Sequence, residues 1–137
     1  MKRSFVISII LIMCAASLLS SCSGGIKRND AIATVEDFFD AVSINDFEKA
    51  EKLLHRDCTL DVEKLLSNAE ADKKIDFQSG VSIEKYTGFA SAYYDSRYGG
   101  SMYELTMKAS VSDVKLTVTV TVIQNDNGYG IYDIEIE

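Results

Sequence analysis

The hydrophobic positions change their period partway along the chain. Between Asn29 and Val42, apolar residues recur at helical spacing, at Ile32, Val35, Phe38, Phe39 and Val42, with Asn29 or Asp30 placed to cap the start. A second helix is expected after Ser43-Ile44. It opens on the Asn-x-x-Glu spacing of Asn45-Asp46-Phe47-Glu48 and carries Phe47, Ala50, Leu53 and Leu54 on one stripe. A third is expected from Asp61 to about Ala71, with Val62, Leu65, Leu66 and Ala69 inward. The period then falls to two. Val81, Ile83 and Phe89 line one face of a first long strand. Tyr103, Leu105, Met107, Ala109 and Val111 alternate with polar neighbours in a second, and Val114, Leu116, Val118, Val120 and Val122 do so in a third. Asn127-Gly128 is the pair favoured in a type I′ hairpin, after which Tyr132, Ile134 and Ile136 are expected inward. Strands that alternate on one side only form an antiparallel sheet with a single covered face, and the helices are the cover. The fold class is α+β: N-terminal helices packed on a curved antiparallel sheet of about four strands.

The N-terminus follows a different pattern. Lys2 and Arg3 precede a nearly continuous apolar run from Phe5 to Leu19, the layout of a secretory signal peptide. A membrane-spanning helix needs about 20 apolar residues, so the run is short for one. Leu19-Ser20-Ser21-Cys22 follows, an aliphatic residue, two small residues and a cysteine, then Ser23-Gly24-Gly25. The four residues resemble the lipobox of bacterial lipoproteins. That resemblance implies diacylglyceryl transfer to the Cys22 thiol, cleavage before it, and acylation of the new amino terminus. Two or three acyl chains, at about 0.8 kcal/mol per buried methylene, hold a protein on a membrane stably. The expected organisation is a leader at 1–21, the lipidated Cys22 with a flexible tether to residue 28, and one domain from 29 to 137. The expected location is the cell envelope, on the extracytoplasmic side of a bacterial membrane. With Ser23 rather than Asp after the cysteine, that is the outer membrane in a two-membrane cell.

Helices first, then a curled sheet of long strands, resembles the cystatin-like cone of the nuclear-transport-factor-2-like superfamily. That superfamily also includes ketosteroid isomerase, scytalone dehydratase and many small bacterial lipoproteins. The matching stretches are Ala31–Val42, Asn45-Asp46-Phe47-Glu48-Lys49-Ala50 and the closing Val118–Gly128–Ile134 hairpin. Family members usually carry a Trp after that turn, where Tyr129 stands here. The resemblance implies a cone whose open end can hold a small apolar ligand.

Composition narrows the partners. The formal charge of −7 speaks against nucleic acid, which needs a basic face. Losing Lys2 and Arg3 with the leader makes the chain more acidic still, so acyl chains on Cys22 rather than a basic patch must supply the membrane contact. With Cys14 in the leader and Cys22 acylated, Cys58 stands alone and no internal disulfide forms. One histidine is too few for a zinc signature, and no metal or cofactor is expected. Asn125-Asp126-Asn127-Gly128 looks like part of a calcium loop, but Ile123 and Ile134 occupy the ligand positions such a loop requires.

Two constellations remain. His55 and Asp57 could form an acid–base pair of the isomerase or dehydratase kind, since imidazole titrates near neutral pH. Against this, they stand two apart at a helix end, where His55 can interact with helix carbonyls and Asp57 can form the turn. Cys58 beside them reads as a small buried residue. The second is a tyrosine cluster around the Arg97–Gly100 turn. Tyr93, Tyr94, Arg97, Tyr98 and Tyr103 have the composition of a binding surface for a protein partner, or of the mouth of a cavity for a small apolar ligand. The leading expectation is a non-catalytic binding domain. The alternatives are an enzyme using His55 and Asp57, and an inhibitor or immunity-type module.

Overall fold

The computed structural model describes residues 25–137, so the expected leader and the expected acylation site at Cys22 lie outside the described residues. Three helices, α1 (Arg28–Ser43), α2 (Phe47–Lys52) and α3 (Val62–Lys73), precede four strands, β1 (Val81–Asp95), β2 (Gly100–Val111), β3 (Val114–Asn125) and β4 (Gly128–Ile136). The strands form one antiparallel sheet in the order β1-β2-β3-β4, curved and unclosed. The class is α+β, as the change of period implies. Among the described residues, no helix is long and apolar enough to cross a membrane.

The helix ends differ from the expected caps. Lys27 is the N-cap of α1 and makes no side-chain cap, while Asn29 and Asp30 lie inside its first turn. Asp30 there still complements the positive end of the helix. Asn45 closes α1 instead of opening α2. It adopts the left-handed conformation (φ 59°), with its N–H on Val42 O and the Asp46 N–H on Ala41 O, a Schellman arrangement. Asp46 then caps α2 through Lys49 N–H (3.0 Å), and Asp61 caps α3 through Lys64 N–H (3.0 Å).

The concave face of the sheet is filled. Val35, Phe38 and Val42 of α1 meet a floor of Leu105, Met107, Val118 and Val120, all essentially without solvent exposure. Each such side chain contributes about 1.5–3 kcal/mol by leaving water. β2 and β3 pair without irregularity from Ser101↔Gln124 to Val111↔Val114, so their alternation is preserved. Between them, Ser112 and Asp113 both take positive φ, the requirement of a type I′ turn.

The outer strands break the period. Register shifts in β1 between Ile83 and Lys85 and between Tyr86 and Gly88 place Ile83, Tyr86 and Phe89 opposite the inward Ala109, Met107 and Leu105. The strand thus keeps an apolar face only by inserting bulges. In β4 a shift opposite Thr121/Val122 pairs Ile131 with the inward Val122. Ile131 therefore occupies the core position expected of Tyr132, which packs edge-on against Tyr98 (ring centroids 5.0 Å). The β3–β4 turn also departs from type I′. Its central residues Asp126 and Asn127 lack positive φ, and Gly128 takes it alone (φ 125°). The Asn127 N–H bonded to Asn125 Oδ1 (2.9 Å) holds that geometry.

The exit from α2 closes the β4 edge. Leu54 forms a parallel bridge with Ile131, with Ile131 N–H on Leu53 O (2.9 Å) and His55 N–H on Ile131 O (2.7 Å). This approach requires Gly130, where a Cβ would lie 2.6 Å from His55 N and 2.7 Å from Leu54 C. Both are backbone atoms that cannot swing aside. Gly130→Ala is expected to cost about 1–3 kcal/mol of unfolding free energy in urea titration. A variant as stable as the parent would contradict this packing.

Candidate functional site

His55 sits at the end of α2 with its side chain wholly buried. Its Nδ1 accepts the Asp57 N–H (3.0 Å), so the proton lies on Nε2, which donates to Gly128 O (3.1 Å). Both ring nitrogens are thus used within the fold. The ring spans the gap between the α2–α3 connection and the first residue of β4.

Asp57 faces the same hairpin. Its carboxylate accepts from Asn127 Nδ2 (2.9 and 3.1 Å) and from Asn125 Nδ2 (3.1 Å). The Asn125 amide donates a further bond to Tyr98 O (2.8 Å), joining the β1–β2 turn to the network. His55 Nδ1 lies 3.8 Å from Asp57 Oδ2, beyond hydrogen-bond distance. The Asn127 and Asn125 bonds, more than the neighbouring His55 and Arg56, hold the Asp57 carboxyl below the usual aspartate range. The two residues are together in space, but they clamp the β3–β4 turn rather than facing a shared apolar cavity.

Cys58 is half-buried, with its thiol donating to Tyr132 O (3.1 Å) and accepting the Leu60 N–H. Burial pushes the thiol pKa up, the opposite of what an activated nucleophile needs. Among the described residues, no three His, Cys, Asp or Glu side chains converge as metal ligands.

The tyrosine cluster divides. Tyr103 is buried in the core, edge-on to Phe89 (6.2 Å), and Tyr98 is half-buried against Tyr132. Arg97 is exposed, but its guanidinium forms a forked pair with Asp95 (Nε–Oδ1 3.0 Å, Nη2–Oδ2 2.6 Å), which holds the turn. Tyr93 and Tyr94 are left, 80% and 69% exposed at the end of β1. They are consecutive residues where the β1–β2 register is lost between Ala92 and Asp95, so neither is drawn under α1.

Beside Tyr93 is a groove of about 220 Å³ lined by Gly25, Ile26, Lys27, Ser91, Ala92, Tyr93 and Met102. The ring of Tyr93 lies against Gly25, whose position a Cβ would share only at 3.1 Å from Tyr93 Cε1. Lys27 and Arg28 follow, with the Arg28 guanidinium 3.8 Å from the Phe89 ring centroid. The first described residues and Tyr93 therefore form one surface, with Tyr94 next in the chain. Sequence reasoning missed the share of Gly25–Arg28 in it, because that contact joins segments far apart in the chain. It also missed Asn125 and Asn127 as partners of Asp57. A glycine inside a strand, Gly130, was the available signal that another backbone comes close there.

No protein-family model matches the chain, and no curated protein matches it.

Asp57 gives this site a pH signature. Its folded pKa is lowered, so its contribution to stability is fully present above the unfolded value of 3.8 and is lost as pH falls through the folded one. The stability difference between the protein and Asp57→Ala is expected to hold at neutral pH and to shrink below about pH 4 in urea titrations. A difference unchanged down to about pH 2 would refute the carboxylate's role.

Proposed function

We propose that the chain is a lipid-anchored extracytoplasmic domain that acts by binding rather than by catalysis. The observation that carries this is the order of the N-terminus: Lys2-Arg3, the apolar run from Phe5 to Leu19, then Leu19-Ser20-Ser21-Cys22. Acylation of Cys22 gives the domain a membrane address that its acidity alone opposes. The binding half of the reading draws on Tyr93 and Tyr94, the most exposed aromatic rings among the described residues, at 80% and 69% against 37% for Phe89 and 39% for Tyr129. Their surface suits a partner outside the chain. The resemblance to the nuclear-transport-factor-2-like cone is consistent with helices followed by a curved sheet, and that scaffold serves binding and catalysis alike. No observation favours the acid–base alternative, because His55 and Asp57 direct their hydrogen bonds to the β3–β4 turn.

The anchor is tested in a bacterial host given an alkyne-bearing fatty acid. The full chain is expected to take up the label and to sediment with membranes, whereas Cys22→Ala takes up none. Equal labelling of the two chains, or label on neither, would overturn the reading.

A further inference from the structure

We infer that the Tyr93–Tyr94 end of β1 rests in the headgroup region of the membrane that holds Cys22, so the anchored domain has a fixed face toward the lipid. The inference builds on the proposed acylation of Cys22 and names the bilayer interface as the partner of the tyrosine surface.

The tether sets the distance. Three Cα steps separate Cys22 from Gly25, so these atoms lie within about 11 Å of one another whatever path the chain takes. The headgroup zone on each side of a bilayer is about 5–8 Å deep. Gly25 of an anchored chain therefore stays within about 11 Å of the lipidated cysteine, in that zone or just above it. Tyr93 is close to Gly25, its ring edge 3.1 Å from where a Cβ on that residue would stand, and both line the same groove. Tyr94 is its chain neighbour and is also largely open to solvent.

The chemistry of the surface matches the zone. Tyrosine has an apolar ring and a polar hydroxyl, and it concentrates at membrane–water interfaces for that reason. Lys27 and Arg28 bring positive charge to the same end, where phosphate groups would meet them. The acidic groups nearby include Asp30, in the first turn of α1, Asp95, whose charge is matched by Arg97, and Glu104, which pairs across from Ala90 and adds to the field at Arg97.

The chain contains no tryptophan, so one introduced indole reports its own surroundings. Full-length, acylated Tyr93→Trp, Tyr94→Trp and Ile44→Trp variants are reconstituted into phosphatidylethanolamine vesicles containing brominated phosphatidylcholine, and flotation is measured beside fluorescence. Ile44 is 70% exposed at the far end of α1, a helix about 24 Å long, and serves as the distant reference. Relative to unbrominated vesicles, Tyr93→Trp and Tyr94→Trp are expected to lose about half or more of their emission and to shift to the blue, with Ile44→Trp unchanged. If the proteins float and neither tyrosine position is quenched, the contact is overturned while the anchor stands. Equal quenching of all three overturns the fixed orientation. If acylated protein does not float, the anchor itself fails and the inference fails with it.

Discussion

A sheet with one apolar face has to be covered, and α1 is the element that covers it. Phe38, Val35 and Val42 press on Leu105, Met107 and Val120, and this contact decides how the remaining parts are placed. The helix needs its own floor to be continuous, which the unbroken register of β2 with β3 provides. The outer strands must then adapt. β1 inserts bulges to keep Ile83, Tyr86 and Phe89 opposite inward residues of β2, with Phe89 still 37% exposed, and β4 inserts one to bring Ile131 in and leave Tyr132 aside. Beyond the reach of α1, at the end of β1, the side chains have no cover.

The connection between α2 and α3 solves a second problem, the open edge of β4. Unpaired strand edges invite pairing with other chains. Leu53, Leu54 and His55 occupy this one by backbone hydrogen bonds, and Gly130 makes room for them. His55 and Asp57 then fix the turn that begins β4, one through a buried ring and the other through an exposed carboxylate. Residues with the chemistry of catalysis are here used to hold a hairpin.

Much of the fold was legible because β2 and β3 alternate without interruption and α1 repeats at helical spacing. Short-range signals were weaker. The residue that ends one helix and the residue that caps the next are neighbours: Asn45, which the Asn-x-x-Glu spacing suggests as the cap of α2, ends α1, and Asp46 makes the cap. Bulges were invisible in composition, since Ile131 and Tyr132 are both acceptable core residues and register decides between them. The candidate site was legible as a list of residues but not as an arrangement. Tyr103 and Tyr98 read like Tyr93 and Tyr94, yet packing takes the first two inward and leaves the others exposed. The bonds from Asp57 to Asn125 and Asn127 link positions far apart in the chain, beyond any local rule.

The start of the domain is the point where fold and location meet. Gly25 touches Tyr93, so whatever holds the chain just before Gly25 also places the exposed end of β1. The account therefore rests on the chemical state of Cys22. Intact-mass measurement of the protein extracted from its own membrane tests this most directly. The account predicts a chain beginning at Cys22 and carrying the added mass of a diacylglyceryl group. A chain that retains the leader, or one cut elsewhere without acyl mass, would contradict it.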